Sequence, residues 1–255
     1  MSDIIGRLAN GLKVTFFGGL SLFWLAPLIP LIVILPEFVQ HVAEINMGMF
    51  ESKEAFNALA DDPERWAFGY AKVAGVLLST LAAARFIGGA GKRWWDLRTV
   101  AWKQFLIALG LNIGVGVVGY GIMQAMGGEV PLVLNYAFQI ATLPLLIYLV
   151  GPLWGDSTMT LRRAYTIGWI ATIFASFLSM IAFLPAQWVH QYNHTLAMGQ
   201  SDLVVWALMI WDSLLVGLIS CWMGAALAAG YWLGRPPETG ATGPSDVKPR
   251  ETVAA

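Results

Sequence analysis

The sequence predicts an all-α integral membrane protein with six transmembrane helices, arranged as three antiparallel hairpins. Composition is the first reason: hydrophobic residues make up 57% of the 255 positions and charged residues 12%, whereas a soluble domain has roughly 25% charged residues. The second reason is a series of long windows without charge, each able to cross a bilayer. The third is that basic and acidic loops alternate between these windows. The net charge of -1 gives no indication of a nucleic-acid partner.

The first predicted span runs from Val14 to Pro36 and contains no charged residue. It is too long for the apolar core of a signal peptide, which has about 7 to 15 residues, so we expect it to be retained. In the segment that follows, apolar and polar residues recur at helical spacing. This pattern predicts an amphipathic helix lying flat on the outer surface. Its apolar positions are Phe38, Val42, Ile45 and Met49, and its polar positions are Glu37, Gln40 and Glu44.

Five further windows complete the six spans. They lie within residues 66–84, 104–128, 130–155, 164–184 and 203–234. We expect the fifth helix to end near Leu184, because Pro185 and polar residues follow it. The three hairpins then cover about 12–88, 97–151 and 161–234, within one membrane domain of residues 1–235. Residues 236–255 have too little apolar surface to fold and predict a disordered tail.

The distribution of basic residues predicts the orientation. Twelve of the fifteen lysines and arginines fall on one side of the six-span arrangement. They are Arg7, Lys13, Arg85, Lys92, Arg93, Arg98, Lys103, Arg162, Arg163, Arg235, Lys248 and Arg250. Because short cytoplasmic loops are enriched in basic residues, both termini are expected in the cytoplasm of a bacterial-type inner membrane. The acidic loops and all three histidines are then outside.

The hairpins share features that fit an internal triplication, with chance similarity between apolar sequences as the alternative. Each begins with a leucine and a base, and each outer turn contains Met-Gly. The first and third also share a Leu-Pro that precedes a histidine, at His41 and His190.

Small and polar residues inside the spans predict helix contacts. Glycines let helices approach closely, and we expect this at Gly110, Gly114 and Gly121 in the third span and at Gly217, Gly224 and Gly230 in the sixth. Asn112, Asn135 and Gln139 are predicted to form hydrogen bonds between the third and fourth spans.

Two groups of residues are candidate functional sites. Lys72 and Asp212 are the charged side chains well inside the spans, and a charge in a membrane interior usually has a partner. We expect them to form an ion pair that joins the second and sixth helices. His190 and His194 are four residues apart and would share one helical face if the fifth helix continued past Pro185, with His41 at the matching place in the first hairpin. These histidines could bind copper or zinc.

Three functions remain open at this stage. The scarcity of catalytic side chains favours a non-catalytic scaffold or assembly component of a membrane complex, with a membrane protein or a second copy of the chain as partner and no cofactor. A transporter or channel for a small solute or ion, using Lys72 and Asp212, is the first alternative. The second is a copper- or zinc-binding membrane protein or enzyme that uses the outer-face histidines.

Overall fold

A computed structural model describes residues 2–234, with side chains at 4–89, 91 and 93–234, and every regular element in that part of the chain is a helix. The predicted tail, 236–255, lies outside the described residues. The α-helices are α1 (Ser2–Lys13), α2 (Gly19–Leu25), α3 (Leu28–Asn46), α4 (Lys53–Leu59), α5 (Pro63–Arg85), α6 (Trp102–Ala125), α7 (Leu132–Thr142), α8 (Pro144–Leu153), α9 (Leu161–Thr166), α10 (Trp169–Ala197) and α11 (Asp202–Gly234).

Seven helical stretches of the described chain are long and apolar enough to cross a membrane. They are Ile4–Leu25, Leu28–Asn46, Pro63–Gly89, Trp102–Ala125, Leu132–Leu153, Trp169–Ala197 and Asp202–Gly234. The first two cover the single predicted first span and its flanks. They are separated by a kink at Ala26 (φ -151°, ψ 63°), ahead of Pro27. Hydrogen bonding resumes at once, from Ile29 N to Ala26 O at 2.9 Å.

Helix α11 is the centre of the bundle and packs against α3, α5 and α10. Small residues allow these contacts. A Cβ atom on Gly230 would overlap Ala175 of α10, and one on Gly224 would overlap α5 at Thr80. The expectation of close approach is therefore confirmed in this helix. It is wrong for Gly110, Gly114 and Gly121 in α6, where the described residues place nothing within 4 Å of such an atom.

The second hairpin, α6 to α8, lies at the edge of the bundle. Helix α8 is buried, whereas most of α6 and most of α7 are exposed, and no residue of α7 is buried. The Asn112 amide donates to Leu145 O at 3.2 Å and so links α6 to α8. Gln139 donates to Asn135 at 2.9 Å instead of reaching the third span. Those two residues are one turn apart on α7, so their hydrogen bond lies within one helix. The expected contact of Asn135 and Gln139 with the third span is wrong.

Arg85, the last residue of α5, connects three segments of the chain by hydrogen bonds. Its guanidinium, buried in the structure, donates to the backbone carbonyls of Trp94, Asp96 and Leu153. This one side chain joins α5 to α8 and to the loop that leads into α6. In that loop the exposed Arg98 binds the Asp96 carboxylate at 2.7 Å and holds the pKa of Asp96 below its usual range.

Two segments differ from the expected helix geometry. Helix α10 runs through Pro185 to Ala197 without a break, so the predicted end near Leu184 is wrong. Helix α3 extends to Asn46 as a continuation of the first span, and its polar face points into the bundle. Glu37 and Glu44 are fully buried, whereas Val39 is exposed. The expected surface helix is therefore corrected: lipid favours the apolar face outside, and partners inside satisfy the polar face.

Candidate metal centre

A buried polar cluster lies at the end of the bundle where α3 and α10 end and α5 and α11 begin. Helix α3 provides a stripe at i, i+3, i+4 and i+7, and the same periodicity places His190 and His194 on one face of α10. The members are Glu37, Gln40, His41 and Glu44 from α3, Arg65 and Lys72 from α5, His190, Asn193 and His194 from α10, and Asp212 from α11. Four helices therefore converge on one site.

Asp212 is the centre of the cluster and is fully buried. Its Oδ2 atom has three imidazole nitrogens around it: His190 Nδ1 at 2.6 Å, His41 Nε2 at 3.2 Å and His194 Nε2 at 3.4 Å. Its Oδ1 atom accepts a hydrogen bond from the Asn193 amide at 2.7 Å. The structure thus brings all three predicted histidines to one carboxylate.

His41 has carboxylates at both ring nitrogens. Its Nδ1 lies 2.8 Å from Glu44 Oε2, and its Nε2 lies 3.2 Å from Glu37 Oε1. Glu44 is itself held through Oε1 by Arg65 Nε at 2.8 Å and by the Gln40 amide at 2.9 Å. With two donors fixing Glu44 as an acceptor, the Nδ1–H of His41 donates to it. The Nε2 atom is then directed at Glu37 and Asp212.

The expected direct ion pair between Lys72 and Asp212 is replaced by a longer connection. The Lys72 ammonium binds Glu37 Oε1 at 2.9 Å, and Glu37 reaches Asp212 only through His41. Both charged residues do belong to the same cluster, at the contact of α5 with α11. The direct pair is not formed because Glu37, which the sequence placed on the outer surface, lies inside the bundle and takes the ammonium.

The connection between α3 and α5 covers the cluster. The ring centroids of Phe50 and Phe56 lie 5.9 and 6.1 Å from that of His194. The backbone N–H of Gly199, in the turn between α10 and α11, donates to Phe50 O at 2.8 Å and joins the two turns. His190 and His194 are accordingly only 8% exposed. The covering removes water from the polar groups, which strengthens their electrostatic interactions.

The distances suit ligands of a common metal ion. Three overlapping groups have donor atoms within 4.8 Å of one another: His190, His194 and Asp212; His41, Glu44 and His194; and Glu37, His41 and Asp212. Zinc–nitrogen and zinc–oxygen bonds of about 2.0 to 2.1 Å in a tetrahedron place neighbouring donors about 3.3 Å apart. The separations of His41 Nε2 and His194 Nε2 from Asp212 Oδ2 are 3.2 and 3.4 Å. Charge-assisted hydrogen bonds are usually shorter, about 2.7 to 2.9 Å, so both separations are closer to the spacing of two ligands on one ion.

Two acceptors of the cluster have no donor. Glu37 Oε2 and Gln40 Oε1 are buried and have no hydrogen-bond partner, whereas His194 Nε2 lies 3.4 Å from the Asp212 carboxylate. Most buried polar side-chain atoms do have one. The cluster also has a net negative charge when the histidines are neutral, because three carboxylates then face two fixed cations, Arg65 and Lys72. A cation, either a proton on an imidazole or a metal ion, balances this arrangement.

Sequence reasoning identified the histidines, Lys72 and Asp212 but missed Glu37, Gln40, Glu44, Arg65 and Asn193. One signal could have identified the first three. A helix on an anionic membrane surface typically carries lysines and arginines on its polar face. The polar face of 37–46 has none and continues directly from a transmembrane helix, which indicates an interior position.

Comparisons with protein-family models, with curated proteins and with solved structures give no match.

Proposed function

We propose that the protein binds one divalent transition-metal ion, of the zinc or ferrous type, inside its membrane-spanning bundle. The observation that carries this proposal is the convergence of three imidazole nitrogens on Asp212 Oδ2. Two of them lie at the separation of ligands on one ion. His41, His190, His194 and Asp212 are the proposed ligands. His190 Nδ1, now 2.6 Å from Asp212, moves outward by about 0.7 Å to reach a tetrahedral spacing.

The surroundings of His41 fit the same role. A histidine that ligates a metal commonly donates its other N–H to a carboxylate, which fixes its tautomer and orientation. Glu44 accepts that hydrogen bond from His41 Nδ1, and Arg65 and Gln40 hold Glu44 in place. Nitrogen and oxygen donors suit zinc or iron better than Cu(I), which prefers sulfur. The aromatic rings of Phe50 and Phe56 cover His194.

Metal content of the purified protein tests the proposal. Protein prepared without chelators and offered zinc or ferrous iron is expected to retain about one ion per chain, and Asp212→Asn and the double variant His190→Ala/His194→Ala are expected to lose it. Ser213→Ala is the matched control, because Ser213 is the buried neighbour of Asp212 and its hydroxyl bonds to Met209 O in its own helix.

A wild-type protein that folds and retains none of these metals would overturn the proposal. The cluster would then be balanced by a proton on His41. If Asp212→Asn does not fold, His194→Gln tests the same ligand set with a milder change.

The finer topology is also a proposal: six crossings, with α1 to α3 forming one kinked helix, and both termini in the cytoplasm of a bacterial-type inner membrane. It is supported by the basic loops and by the hydrogen bonding that continues through Ala26. Cysteines at positions 55 and 196 should react with an impermeant reagent in intact cells, whereas cysteines at 91 and 158 should not. The native Cys221 is buried and gives little background. The reverse pattern would refute this orientation.

A scaffold or assembly role is the second candidate function. The exposed part of the second hairpin favours it, because Asn135 and Gln139 are exposed amides on α7. A membrane partner or a second copy of the chain would satisfy them. Purification in native lipid discs should then yield a second protein, or a dimer, in fixed proportion, and a monomer alone would exclude this role. The transport alternative no longer includes a direct pair of Lys72 with Asp212, because Lys72 binds Glu37.

A further inference from the structure

The unpartnered acceptors of α3 indicate what else binds at the cluster. Glu37 Oε2 and Gln40 Oε1 have no hydrogen-bond partner, and their side chains are 0% and 3% exposed. The orientation of the Gln40 amide follows from its neighbour. Glu44 Oε1 accepts hydrogen bonds, so the amide NH₂ faces it and the amide oxygen points away. Two acceptors therefore lie one turn apart on the same face of α3 that carries His41.

A metal-bound water has the complementary chemistry. It gives its lone pair to the ion and keeps two hydrogens to donate, one for each acceptor. Neutral ligands with N–H groups, such as ammonia, have the same character. An anion without hydrogens, such as azide, would instead place its negative charge against two oxygens. Catalytic zinc sites bind such a water and can expand to five ligands, whereas structural sites are closed.

We infer that the metal centre keeps a fifth, exchangeable position beyond its four protein ligands, which takes water or another small hydrogen-bond donor oriented by Glu37 Oε2 and Gln40 Oε1. This inference rests on the proposed function, because it needs the ion. Glu37 is a positioning residue here. Its Oε1 atom is held by Lys72 at 2.9 Å, which fixes the direction of Oε2. The centre is then open in the way that metal-assisted hydrolysis requires.

Cobalt(II) in place of the native ion gives a spectroscopic test, because its visible spectrum reports the ligands that it holds. Ammonia is expected to change the spectrum of the wild-type protein at lower concentration than azide. The Glu37→Gln variant can still accept the Lys72 hydrogen bond through its amide oxygen, and it turns the second atom into an N–H donor. Azide should bind this variant at least about tenfold more tightly than it binds the wild type, the expected effect of one hydrogen bond to a charged group. Ser213→Ala should behave as the wild type.

The outcomes separate the two proposals. If cobalt and zinc do not bind, the proposed function itself fails. If one ion binds but neither ammonia nor azide changes the spectrum, protein ligands fill every coordination position of the ion. The inference is then wrong, but the proposed metal site is retained. Azide that binds wild type and Glu37→Gln equally also overturns it, because Glu37 would not face the ligand. If the variant does not fold, the wild-type preference for ammonia over azide remains a sufficient test.

Discussion

Replacing Lys72 with methionine should destabilise the protein through Glu37 and not through Asp212. The change removes the ammonium that lies 2.9 Å from Glu37 Oε1 and leaves a carboxylate with 0% exposure without its cation. Breaking a buried pair by removing one partner costs about 3 to 5 kcal/mol. Because a fifth of the Lys72 side chain is exposed, we expect the low end of that range, about 3 kcal/mol. The double variant Lys72→Met/Glu37→Gln removes both charges and should recover most of the loss.

The free energy of unfolding, measured by denaturant titration in detergent micelles, gives the coupling in a double-mutant cycle. We expect at least about 1 kcal/mol of coupling between Lys72 and Glu37. The matched cycle pairs Lys72→Met with Asp212→Asn, and it should show a smaller value because His41 and Glu37 separate the two charges. A larger coupling in the second cycle would contradict the arrangement described here and restore the direct pair.

Two further predictions concern packing. Gly230→Val should lower the thermal stability strongly, because the new side chain overlaps Ala175 and forces α10 from α11, whereas Gly114→Val, in open space on α6, should change it little; similar losses would show that the α6 face is also packed. Asn112→Leu should cost about 0.5 to 1.5 kcal/mol, because it removes the hydrogen bond to Leu145 O between α6 and α8. The same replacement at Asn135, whose bond lies within exposed α7, should be neutral in unfolding measurements, and an equal cost at both positions would refute the difference.

Much of the fold was accessible from the sequence because membrane insertion depends on composition over long windows. The long apolar helices and the close approach at Gly224 and Gly230 follow from local residue properties. The continuation of α10 through Pro185 did not. A proline removes one hydrogen bond, but neighbouring packing in a bundle can hold the helix together, and the sequence alone does not contain that packing.

The candidate site was predicted in part for a similar reason. His190 and His194 were recognisable from their spacing, and Asp212 from its charge in an apolar helix. Glu37 and Glu44 were assigned to the outer membrane surface and not to the bundle interior, because an amphipathic helix has the same periodicity in both places. Which environment it occupies depends on partners from other helices, here Lys72 and Arg65. Misplacing Glu37 is what led to the expected pair of Lys72 with Asp212.

X-ray absorption at the zinc edge of the zinc-loaded, purified protein tests the central claim most directly. The geometry at Asp212 predicts nitrogen and oxygen neighbours at about 2.0 to 2.1 Å, no sulfur at about 2.3 Å, and the outer-shell pattern of about three imidazole rings. The pattern should fall to about one ring in His190→Ala/His194→Ala if any zinc is retained. A spectrum without imidazole scattering, or one that the histidine substitutions leave unchanged, would contradict the placement of the metal at this cluster.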